Sequence, residues 1–257
     1  MTAAPLPSIA ILIANKNRAA MLRECLSSCA LQTEPPERLA VVDGGSTDRT
    51  LDVTREFRSL LTYSISESDK GIFDALNKGL RHVRHDEYVL VLGSDDRHYD
   101  AHALAEARRG ITANPGHSIY YGRGQMVEED GRETDTRGVP WSEVRGNHLA
   151  GRLSGMRHQA TFQRAESLLR FGRFDYRYRI CGDYDALFRV LTREPPVFWP
   201  NRFVAQMGRR GISTEPRSEL AVLRERVMIC WKQRLLGSWL RQRLALSRRS
   251  LLAGGNS

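Results

Sequence analysis

The sequence predicts an α/β fold: a mainly parallel sheet with helices on both faces, followed by a helical tail at the C-terminus. Short apolar runs alternate with helical patterns along the first hundred residues, which is the order expected of repeated strand–helix units. The runs are apolar at nearly every position, as strands are when helices cover both faces of a sheet. Three runs end in polar and acidic residues, so these strand ends are expected to form one ligand site.

The first half of the chain repeats a strand–loop–helix unit. The predicted strands are Ser8–Ala14, Leu39–Val42, Tyr63–Ile65 and Tyr88–Leu92. The helical patterns between them cover Ala19–Leu31, Arg49–Leu60 and part of Asp69–Arg84. Each predicted strand is too short to be read as a helix, and the polar loops that follow the strands mark where they end.

The second half is less regular. Strands are predicted at Ser118–Val127 and Phe162–Arg164, and a hairpin turn with an Asp-Gly tip is predicted at Glu128–Glu133. A Gly-containing loop is predicted over Trp141–Gly155 and a helix over Asp183–Thr192. The composition is helical from Thr214 to Leu252.

The net charge of +9 is concentrated in the C-terminal tail. Nine Arg and Lys side chains stand against two Glu between Arg217 and Arg249, whereas the rest of the chain is close to balance. This distribution argues against nucleic-acid binding by the whole fold. It favours a local partner for the tail, such as an anionic membrane surface.

The four cysteines are few and scattered, which predicts free thiols in a reducing compartment. Cys25 and Cys29 lie one helical turn apart, but no His or Cys cluster accompanies them, so buried thiols are expected in place of a metal site. The N-terminus lacks the pattern of a signal peptide, and no apolar run reaches the roughly 20 residues of a membrane span. We therefore expect a cytoplasmic protein, located peripherally on the inner face of the membrane if its tail binds lipid.

Asp95 and Asp96 directly follow the fourth predicted strand. Two adjacent carboxylates are costly to hold together unless a cation neutralises them, and Mg²⁺ or Mn²⁺ binds both carboxylate and phosphate oxygens. Such a cation would stabilise the charge that develops on a departing diphosphate. A solvated turn with two Asp residues explains the same spacing, so the pattern alone leaves both interpretations open.

The loop Asp43–Asp48 follows the second strand. Its residues Gly44 and Gly45 let a ligand approach the backbone closely, and Ser46 is placed to cap the next helix. A plain strand-to-helix turn is the structural alternative.

The segment Asp69–Gly79 combines a polar loop with a helix on which Asp74, Asn77 and Lys78 share one side. Lys70 and Lys78 are the residues in this segment that would meet phosphates. An ordinary solvated helix face is the alternative explanation.

Asp183 and Asp185 lie at the start of the helix predicted in the second half. A carboxylate at a helix N-terminus is stabilised by the helix dipole, which would be a purely structural role. As a functional group, one of the two would be a general base that deprotonates an acceptor hydroxyl. His158 is a further candidate for this role, although a lone His is more often structural.

In this order, the motifs resemble those of the family 2 glycosyltransferases. They are Ser8–Arg18, Asp43–Asp48, Asp69–Gly79, Leu92–Asp96, His158-Gln159, Gly182–Asp185 and Gly211–Thr214. The resemblance covers roughly residues 8–214 and is most specific over the first hundred. It implies a GT-A fold with a Rossmann-like nucleotide-sugar half at roughly 8–110 and an acceptor half at roughly 111–214. Residues 215–257 would form a separate basic, amphipathic tail.

The resemblance also assigns roles to single residues. Ala14, Asn15 and Arg18 would line the base and ribose pocket, and Asp43 would hydrogen-bond the base, as in uracil recognition. The other residues of the donor-binding set would be Gly44, Ser46, Asp69, Lys70, Asp74, Asn77, Lys78, Ser94 and Asp95. Asp96 would ligate Mn²⁺ or Mg²⁺ directly, and Asp95 would face the ribose or the water shell of the metal.

Asp183 matches the position of the catalytic base in the family. Gly182 stands where an acidic residue is commoner, and Asp185 adds a second carboxylate, so both Asp residues and His158 stay catalytic candidates, with Asp183 favoured. The Gln-x-x-Arg-Trp motif of processive members is absent. The resemblance therefore implies inverting transfer of one sugar, with Asp183 taking the proton of the acceptor hydroxyl, as part of polysaccharide biosynthesis.

The expected partners are a nucleotide-sugar donor, with a UDP-sugar favoured, and a glycan or lipid-linked acceptor. The tail between Ala221 and Leu252 mixes Leu, Val, Ile and Trp with Arg and Lys, a composition that binds anionic membrane interfaces. Its apolar stripe would alternatively pack on the catalytic domain or on a second subunit in a homodimer. No nucleic-acid partner is expected.

Two other functions would use the same features. A sugar nucleotidyltransferase also needs metal-binding carboxylates and a nucleotide pocket, but the loop Asp43–Ser46 lacks the Gly-rich basic signature expected there. A non-enzymatic protein that binds nucleic acid or membrane would use the Arg-rich tail, yet it would need Asp95 and Asp96 only for structure.

Overall fold

The computed structural model of the chain describes residues 6–128, 132–149, 155–208 and 218–234. The strands are β1 (Ile9–Asn15), β2 (Arg38–Asp43), β3 (Tyr63–Ser66), β4 (Tyr88–Gly93), β5 (Asp96–His98), β6 (Ile119–Val127), β7 (Glu133–Arg137), β8 (Thr161–Arg164) and β9 (Val197–Gly208). The helices are α1 (Ala19–Ala30), α2 (Thr50–Glu56), α3 (Ile72–Leu80), α4 (Ala103–Ala113), α5 (Trp141–Leu149), α6 (Ala165–Arg170), α7 (Gly182–Leu191) and α8 (Glu219–Lys232), with a 3-10 turn at His158–Ala160. This is the α/β architecture that the sequence predicts.

The strands of the described residues form one sheet in the order β3-β2-β1-β4-β8-β6-β9-β5, and β7 pairs with β6. Strands β3, β2, β1 and β4 are mutually parallel, so the predicted parallel half is confirmed. The second half adds antiparallel pairs, in which β8 pairs with β4 and β6, and β5 with β9, while β6 and β9 run parallel to each other. Antiparallel pairing of β6 with β7 confirms the predicted hairpin, although its tip at 129–131 lies outside the described residues.

The carboxyl ends of the parallel strands are level with one another. Asn15 of β1 lies opposite Asp43 of β2, and Ala14 lies opposite Gly93 of β4. The loops that follow these strands therefore start at the same edge of the sheet. This register confirms that the polar strand ends converge, as their order in the sequence predicts.

Side chains alternate between two apolar clusters, one on each face of the sheet. On one face, Ile9, Ile11 and Ile13 pack with α1, α2 and α4. On the other, Ala10 and Leu12 pack with α3, α6, α7 and α8. Helices thus cover both faces, which explains why the strands are apolar at successive positions.

The prediction of a loop over Trp141–Gly155 is wrong for the first part of that segment, because helix α5 occupies Trp141–Leu149. The carbonyl of Pro140 accepts hydrogen bonds from the N–H groups of Glu143 and Val144 and so starts the helix. Val144 and His148, one turn apart, are both buried and anchor it. Gly146, which suggested a loop, has nothing within 4 Å of the position of an added Cβ, so it interrupts no packing.

The four cysteines are buried free thiols, as predicted. No helix in the described part of the chain has both the length and the apolar character to cross a bilayer. The motif Gly211–Thr214 lies in 209–217, and the tail beyond Arg234 lies in 235–257, both outside the described residues.

Candidate active site

The donor side of the site is built around the buried carboxylate of Asp43 at the end of β2. Asp43 Oδ1 accepts hydrogen bonds from Asn15 Nδ2 at 3.2 Å and from the Ser46 hydroxyl. Its Oδ2 accepts from Ser46 N at 2.8 Å and from the Ser66 hydroxyl at 2.6 Å. The side chain of Asp43 is thus a junction that joins the ends of β1, β2 and β3.

Burial alone would raise the pKa of Asp43, but the hydrogen bonds from Ser46, Ser66 and Asn15 outweigh it and lower the pKa overall. The carboxylate is therefore ionised at neutral pH. Because four donors already fill its acceptor positions, a nucleobase would bond Asp43 only by replacing one of the serine hydroxyls. The predicted contact between Asp43 and a base stays a prediction.

Ser46 does not cap the following helix, so that expectation is wrong. Its hydroxyl is committed to Asp43 and accepts a hydrogen bond from Asn17 N at 2.6 Å. Helix α2 begins only at Thr50, whose N–H donates to Asp48 Oδ1 at 3.0 Å. The other oxygen of Asp48 accepts from Ala19 N at 3.0 Å, so Asp48 ties the starts of α1 and α2 together.

Two further residues support the site: Asp48, which has no predicted role within its motif, and Ser66, which no motif includes. A signal for Asp48 was present, because an Asp two residues before the first residue of a helix commonly hydrogen-bonds its backbone. Nothing in the sequence around Ser66 indicated its partner, since Asp43 is 23 residues away and is brought close only by pairing of β2 with β3.

The loop after β3 approaches the loop after β2 at Gly44. A Cβ added to Gly44 would lie 2.5 Å from Asp69 Oδ2, so only glycine lets the Asp69 carboxylate come this close. Asp69 Oδ1 accepts from Gly71 N at 2.8 Å, and the Lys70 ammonium lies 5.3 Å from the centroid of the Tyr176 ring. The structure therefore brings Asp69 and Lys70 to the edge where the sequence placed them.

The polar residues of α3 mainly contact the loop that precedes the helix. Lys78 pairs with Glu67 at 2.8 Å and lies 3.9 Å from Asp74, which also accepts a hydrogen bond from Lys70 N. The hydrogen bond to Glu67 raises the pKa of Lys78. Lys78 and Asp74 thus hold the loop ahead of the helix, and a phosphate would have to compete with Glu67 for the ammonium group.

Asn77 joins the donor side to the second half of the chain. Its Nδ2 donates to the carbonyl of Phe174 at 2.7 Å, and its Oδ1 accepts from Phe174 N at 3.1 Å. Both polar groups of the amide are occupied by this backbone. Asn77 is therefore a support for the segment that leads towards Asp183, and its predicted contact with the donor stays a prediction.

The Asp95–Asp96 pair lies where β4 ends and β5 begins. Asp96 Oδ2 accepts from Gly93 N at 2.7 Å, and a Cβ on Gly93 would lie 2.8 Å from Asp96 Oδ2 and 2.9 Å from Asp95 Oδ1. The two carboxylates thus converge on this glycine, beside the buried Ser94. Arg18, from the loop after β1, lies 3.5 Å from Asp95 Oδ1. This contact brings the first and third polar strand ends together.

Burial and the neighbouring charge of Asp95 raise the pKa of Asp96 to about 7. A carboxyl group in this state gains from a nearby cation, and two carboxylates plus diphosphate oxygens are a usual ligand set for Mg²⁺ or Mn²⁺. No group of three or more His, Cys, Asp or Glu within the described ranges is arranged to hold a metal ion by itself. A cation held by the two Asp residues would therefore need further ligands from outside the described residues, such as the oxygens of a bound diphosphate.

A cavity of about 190 Å³ opens beside this pair, between α1 and the ends of β6 and β9. Its polar lining consists of Glu24, Asp95, Asp96, Arg97, Glu128 and Gln206. Asp96 is held at its edge because it pairs with Met207 across β5 and β9.

The acceptor side contains a paired His and Asp. His158 Nδ1 lies 2.5 Å from Asp183 Oδ2, at the first turn of α7. Burial lowers the pKa of His158, but the charges of Asp183 and Asp96 raise it overall. Burial raises the pKa of Asp183, and the charge and hydrogen bond of His158 lower it overall. The two predicted candidates therefore form one ion pair with an ionised carboxylate.

Gln159 connects this pair to the Asp95–Asp96 pair. Its side chain lies close enough to Asp96 to lower the pKa of that carboxyl group, and it directly follows His158 in the 3-10 turn. Val91 of β4 and Leu187 of α7 form part of the apolar wall behind His158 and Asp183. The Asp95–Asp96 pair lines one cavity and the His158–Asp183 pair another, and the charge of Asp96 reaches His158 and raises its pKa.

Asp185 is not placed to act as a base at this site. It is 1% exposed and pairs with Arg189 at 3.0 Å, one turn further along α7. Arg189 in turn donates to the carbonyls of Phe171, Gly172 and Arg173. Residues two apart on a helix point in nearly opposite directions, so Asp185 supports the preceding loop while Asp183 faces His158.

The packing of α7 against α3 explains why residue 182 is a glycine. A Cβ at this position would lie 2.6 Å from the ring of Phe73 on α3. The acidic side chain that is commoner here in the resembled family would collide with that ring. Glycine therefore allows α7 to begin directly against α3.

Comparison with known proteins identifies the relatives of this chain. The model of the family Glycosyl transferase family 2 matches residues 10–173. A "PGL/p-HBAD biosynthesis glycosyltransferase" of Mycobacterium bovis (strain BCG / Pasteur 1173P2) is 35% identical over 192 residues, which are 72% of this chain and 70% of that protein. An "Uncharacterized glycosyltransferase" of Mycobacterium tuberculosis is 29% identical over 60% of this chain and 58% of its own length. These matches favour glycosyl transfer over the nucleotidyltransferase and binding-protein alternatives.

Solved structures share the fold. S. aureus TarS, residues 1-349, superposes with a TM-score of 0.66 at 19% identity, over 94% of this chain and 73% of that chain. The same protein has been solved in complex with UDP-GlcNAc. The mannosyltransferase PcManGT from Pyrobaculum calidifontis, solved with GDP-Man and Mn²⁺, has a TM-score of 0.58 at 18% identity, over 98% of this chain and 80% of that chain. At this identity the likeness shows the GT-A fold alone.

Proposed function

The chain belongs to glycosyltransferase family 2, and from this membership we propose that it moves one sugar from a nucleotide diphosphate sugar to an acceptor hydroxyl, with inversion at the anomeric carbon. The observation that supports the proposal is the ion pair of His158 with Asp183, in which His158 is also close enough to Asp96 for that carboxylate to raise its pKa. The His158–Asp183 pair is suited to deprotonate an acceptor, and the Asp95–Asp96 pair to hold a cation that would neutralise the charge of a leaving diphosphate.

The donor site is proposed at the carboxyl ends of β1, β2 and β4. The residues that would face the nucleotide are Ala14, Asn15, Arg18, Asp43, Gly44, Asp69, Lys70, Ser94 and Asp95. Support for a nucleotide-sugar donor comes from proteins of the same fold that were solved with UDP-GlcNAc or with GDP-Man. A UDP-sugar is the favoured donor, on the resemblance of the Asp43 loop to uracil-binding loops.

Asp96, with help from Asp95, is proposed to hold Mn²⁺ or Mg²⁺. The cation would neutralise charge on the diphosphate leaving group. The protein contributes two converging carboxylates, one of which has a pKa of about 7 because it is buried beside the other. It also positions Arg18 against Asp95, so a second positive group lies close to the donor.

Asp183 is proposed as the general base. Its pKa is lowered overall despite burial, so it is ionised and able to accept a proton at neutral pH. As the acceptor oxygen bonds the anomeric carbon, its proton passes to Asp183, and the bond from that carbon to the diphosphate breaks. His158 holds the carboxylate in place through its Nδ1 and supplies a neighbouring positive charge.

The test is a panel of nucleotide sugars with and without Mn²⁺, first by thermal shift and then by transfer to glycan and lipid-linked acceptors. A donor that binds the folded state raises the melting temperature with the logarithm of its concentration. Asp183→Asn should lower kcat by about 10² or more while leaving donor affinity unchanged, because only proton transfer is lost.

The control for this variant is Asp86→Asn, an exposed carboxyl at the opposite end of β4. It should keep both kcat and donor affinity. Wild-type turnover in Asp183→Asn would mean that another group acts as the base.

We further propose that the acceptor is presented at an anionic membrane surface, which α8 contacts. Four large apolar side chains of α8 are exposed: Leu220 (81%), Leu223 (36%), Met228 (47%) and Trp231 (70%). Arg224 lies within this stripe, and the following residues 235–257 add four Arg and no acidic residue. Apolar and aromatic side chains combined with Arg fit anionic lipid better than a neutral protein surface.

A further inference from the structure

The backbone that leads into Asp183 is held by a helix far from it in sequence. Glu225 of α8 accepts hydrogen bonds from three successive backbone N–H groups: Arg179 at 2.7 Å, Ile180 at 3.1 Å and Cys181 at 2.8 Å. Its residue exposure is 9%, so the carboxylate is largely removed from water. A buried carboxylate with three N–H donors is strongly held, because each bond is charge-assisted and an unpaired buried charge would be costly.

These three N–H groups immediately precede α7, whose first turn carries Asp183. Cys181 is the N-cap residue of α7, and no side chain of its own caps that end. Glu225 therefore satisfies, from another element, the backbone N–H groups of the segment that leads into this helix. The position of the first turn of α7 is set from α8.

Other contacts from α8 reach the same segment. Lys232 pairs with Asp175 at 2.8 Å and lies 5.4 Å from the centre of the Tyr178 ring. Arg226 lies 5.7 Å from the ring of Tyr184, the residue after Asp183. Helix α8 thus contacts the segment before, at and after the point where α7 begins.

We propose that Glu225 is a positioning residue for glycosyl transfer: from α8, it fixes the backbone that sets Asp183 against His158. The proposal rests on the proposed role of Asp183 as the general base. Glu225 itself does not contact the reacting groups, and its effect passes through the backbone of residues 179–181. Misplacement of a catalytic group by about 1 Å can cost about 10² in rate, so loss of this restraint should be visible in kcat.

The test compares Glu225→Gln and Glu225→Asp with the matched control Glu219→Gln, which removes an exposed carboxylate from the first turn of the same helix. Gln keeps the length of the side chain but replaces one acceptor oxygen with a donor that faces backbone N–H groups. Asp keeps the charge and shortens the reach, so it gives a milder, folded variant if Gln lowers stability too far. Circular dichroism establishes which variants are folded before any kinetics are measured.

Two measurements distinguish a loss of positioning of Asp183 from a general loss of stability in the Glu225 variants. The first is the division between kcat and donor KM, measured with the donor found in the nucleotide-sugar panel. Folded Glu225→Gln should lose at least about tenfold in kcat with donor KM within twofold of wild type, and Glu225→Asp should lose less. The second needs no donor: the NMR signal of the His158 Nδ1 proton, assigned with His158→Gln, should shift upfield when its bond to Asp183 weakens.

A folded Glu225 variant with wild-type kcat and an unchanged His158 proton signal would overturn the proposal. So would an equal loss of kcat in Glu219→Gln. Absence of transfer by the wild-type protein would instead overturn the proposed function. The NMR comparison would still report whether Glu225 holds the His158–Asp183 pair.

Discussion

Two buried carboxylates of the site differ in the number of donors that hold them. Asp43 accepts four hydrogen bonds, and its pKa is lowered although it is 1% exposed. Asp96 is 3% exposed and accepts one backbone hydrogen bond, from Gly93 N, and burial and the charge of Asp95 raise its pKa to about 7. Asp43 is thus satisfied within the protein, whereas the groups around Asp96, His158 among them, do not fully offset its burial and the charge of Asp95. Of the two carboxylates, Asp96 is therefore the one that is better suited to bind a cation.

Asp96→Asn should stabilise the metal-free protein in a pH-dependent manner. An acid whose pKa is raised on folding destabilises the folded state, and the penalty grows as the pH rises from about 4, the unfolded value, to about 7. The substitution removes this penalty. The free energy of unfolding should therefore increase on the order of 3 kcal/mol at pH 8 and by less at pH 5, measured by urea denaturation with EDTA present.

Asp86→Asn serves as the control here too, because its carboxyl is 59% exposed and paired only at the surface with Arg84. It should change stability by less than about 0.5 kcal/mol at either pH. If Asp96→Asn increased the free energy of unfolding equally at pH 5 and pH 8, the folded protein would not raise the pKa of Asp96.

At the scale of elements, α7 is placed by contacts with α3 on one side and α8 on the other. Gly182 packs against Phe73 of α3, and Glu225 of α8 accepts from the backbone just before the helix. Asp183, the proposed base, is therefore positioned by helices from the first half of the chain and from the C-terminal region. Changes at the contact with α3 should affect both stability and turnover.

Gly182→Ala should destabilise the protein by about 1–3 kcal/mol, because the added methyl group would lie within 2.8 Å of three ring carbons of Phe73. Phe73→Leu removes part of that ring and should restore some of the loss in the double variant. The sum of the single effects should then exceed the effect of the double substitution, measured by urea denaturation. Transfer activity should likewise be lower in Gly182→Ala than in the double variant, since the turn that the added methyl group displaces carries Asp183.

Gly146→Ala is the matched control, as Gly146 also lies within a helix but has nothing within 4 Å of an added Cβ. Alanine there should leave stability unchanged or raise it by up to about 1 kcal/mol. Additive effects of Gly182→Ala and Phe73→Leu would show that the two residues do not collide.

The sequence predicted elements whose burial is uniform and missed those whose packing is unusual. β1 and β4 were predictable because buried parallel strands are apolar throughout. Helix α4 was missed because Arg108 and Gly110 interrupt its apolar pattern, yet both are buried. Arg108 donates to Glu37 and to the carbonyls of Pro7, Glu34 and Pro35, and Gly110 packs against Trp199.

The residues of the site were easier to predict than their partners. Motif order singled out Asp43, Asp96 and Asp183 as candidates, because each lies at the end of a recognisable strand or at the start of a helix. The partners Ser66, Gln159 and Glu225 come from distant parts of the chain, and only the pairing of strands and the docking of α8 brings them close. A contact of this kind leaves no local pattern in a single sequence.

At the scale of the whole molecule, α8 has two faces with different roles. Glu225, Ile229 and Cys230 are buried against the rest of the chain, so this part of the predicted tail packs on the catalytic domain. The opposite face exposes Leu220 and Trp231. The alternatives left open for the tail, packing on the domain and contact with a membrane, are therefore compatible for α8.

This arrangement decides how membrane binding should be tested. Deleting the chain from residue 215 would remove Glu225 together with the exposed stripe, so loss of lipid binding would not be separable from loss of the support for α7. Substitutions on the outer face avoid that problem. Leu220→Ser and Trp231→Ser remove exposed apolar side chains and leave the contacts of Glu225 with residues 179–181 in place.

Leu220→Ser and Trp231→Ser together should reduce binding to vesicles of mixed phosphatidylglycerol and phosphatidylcholine by at least about tenfold in a sedimentation assay. Burial of a large apolar side chain in the interface is worth about 1.5–3 kcal/mol, and every 1.4 kcal/mol is a factor of ten in affinity. The matched control is Leu31→Ser, since Leu31 is 71% exposed at the end of α1. Pure phosphatidylcholine vesicles should bind the wild-type protein weakly, because the Arg side chains then lack anionic lipid. Equal binding of wild type and double variant would contradict a membrane role for α8, and a wild-type dimer that the double variant breaks would assign the same face to a second copy of the chain.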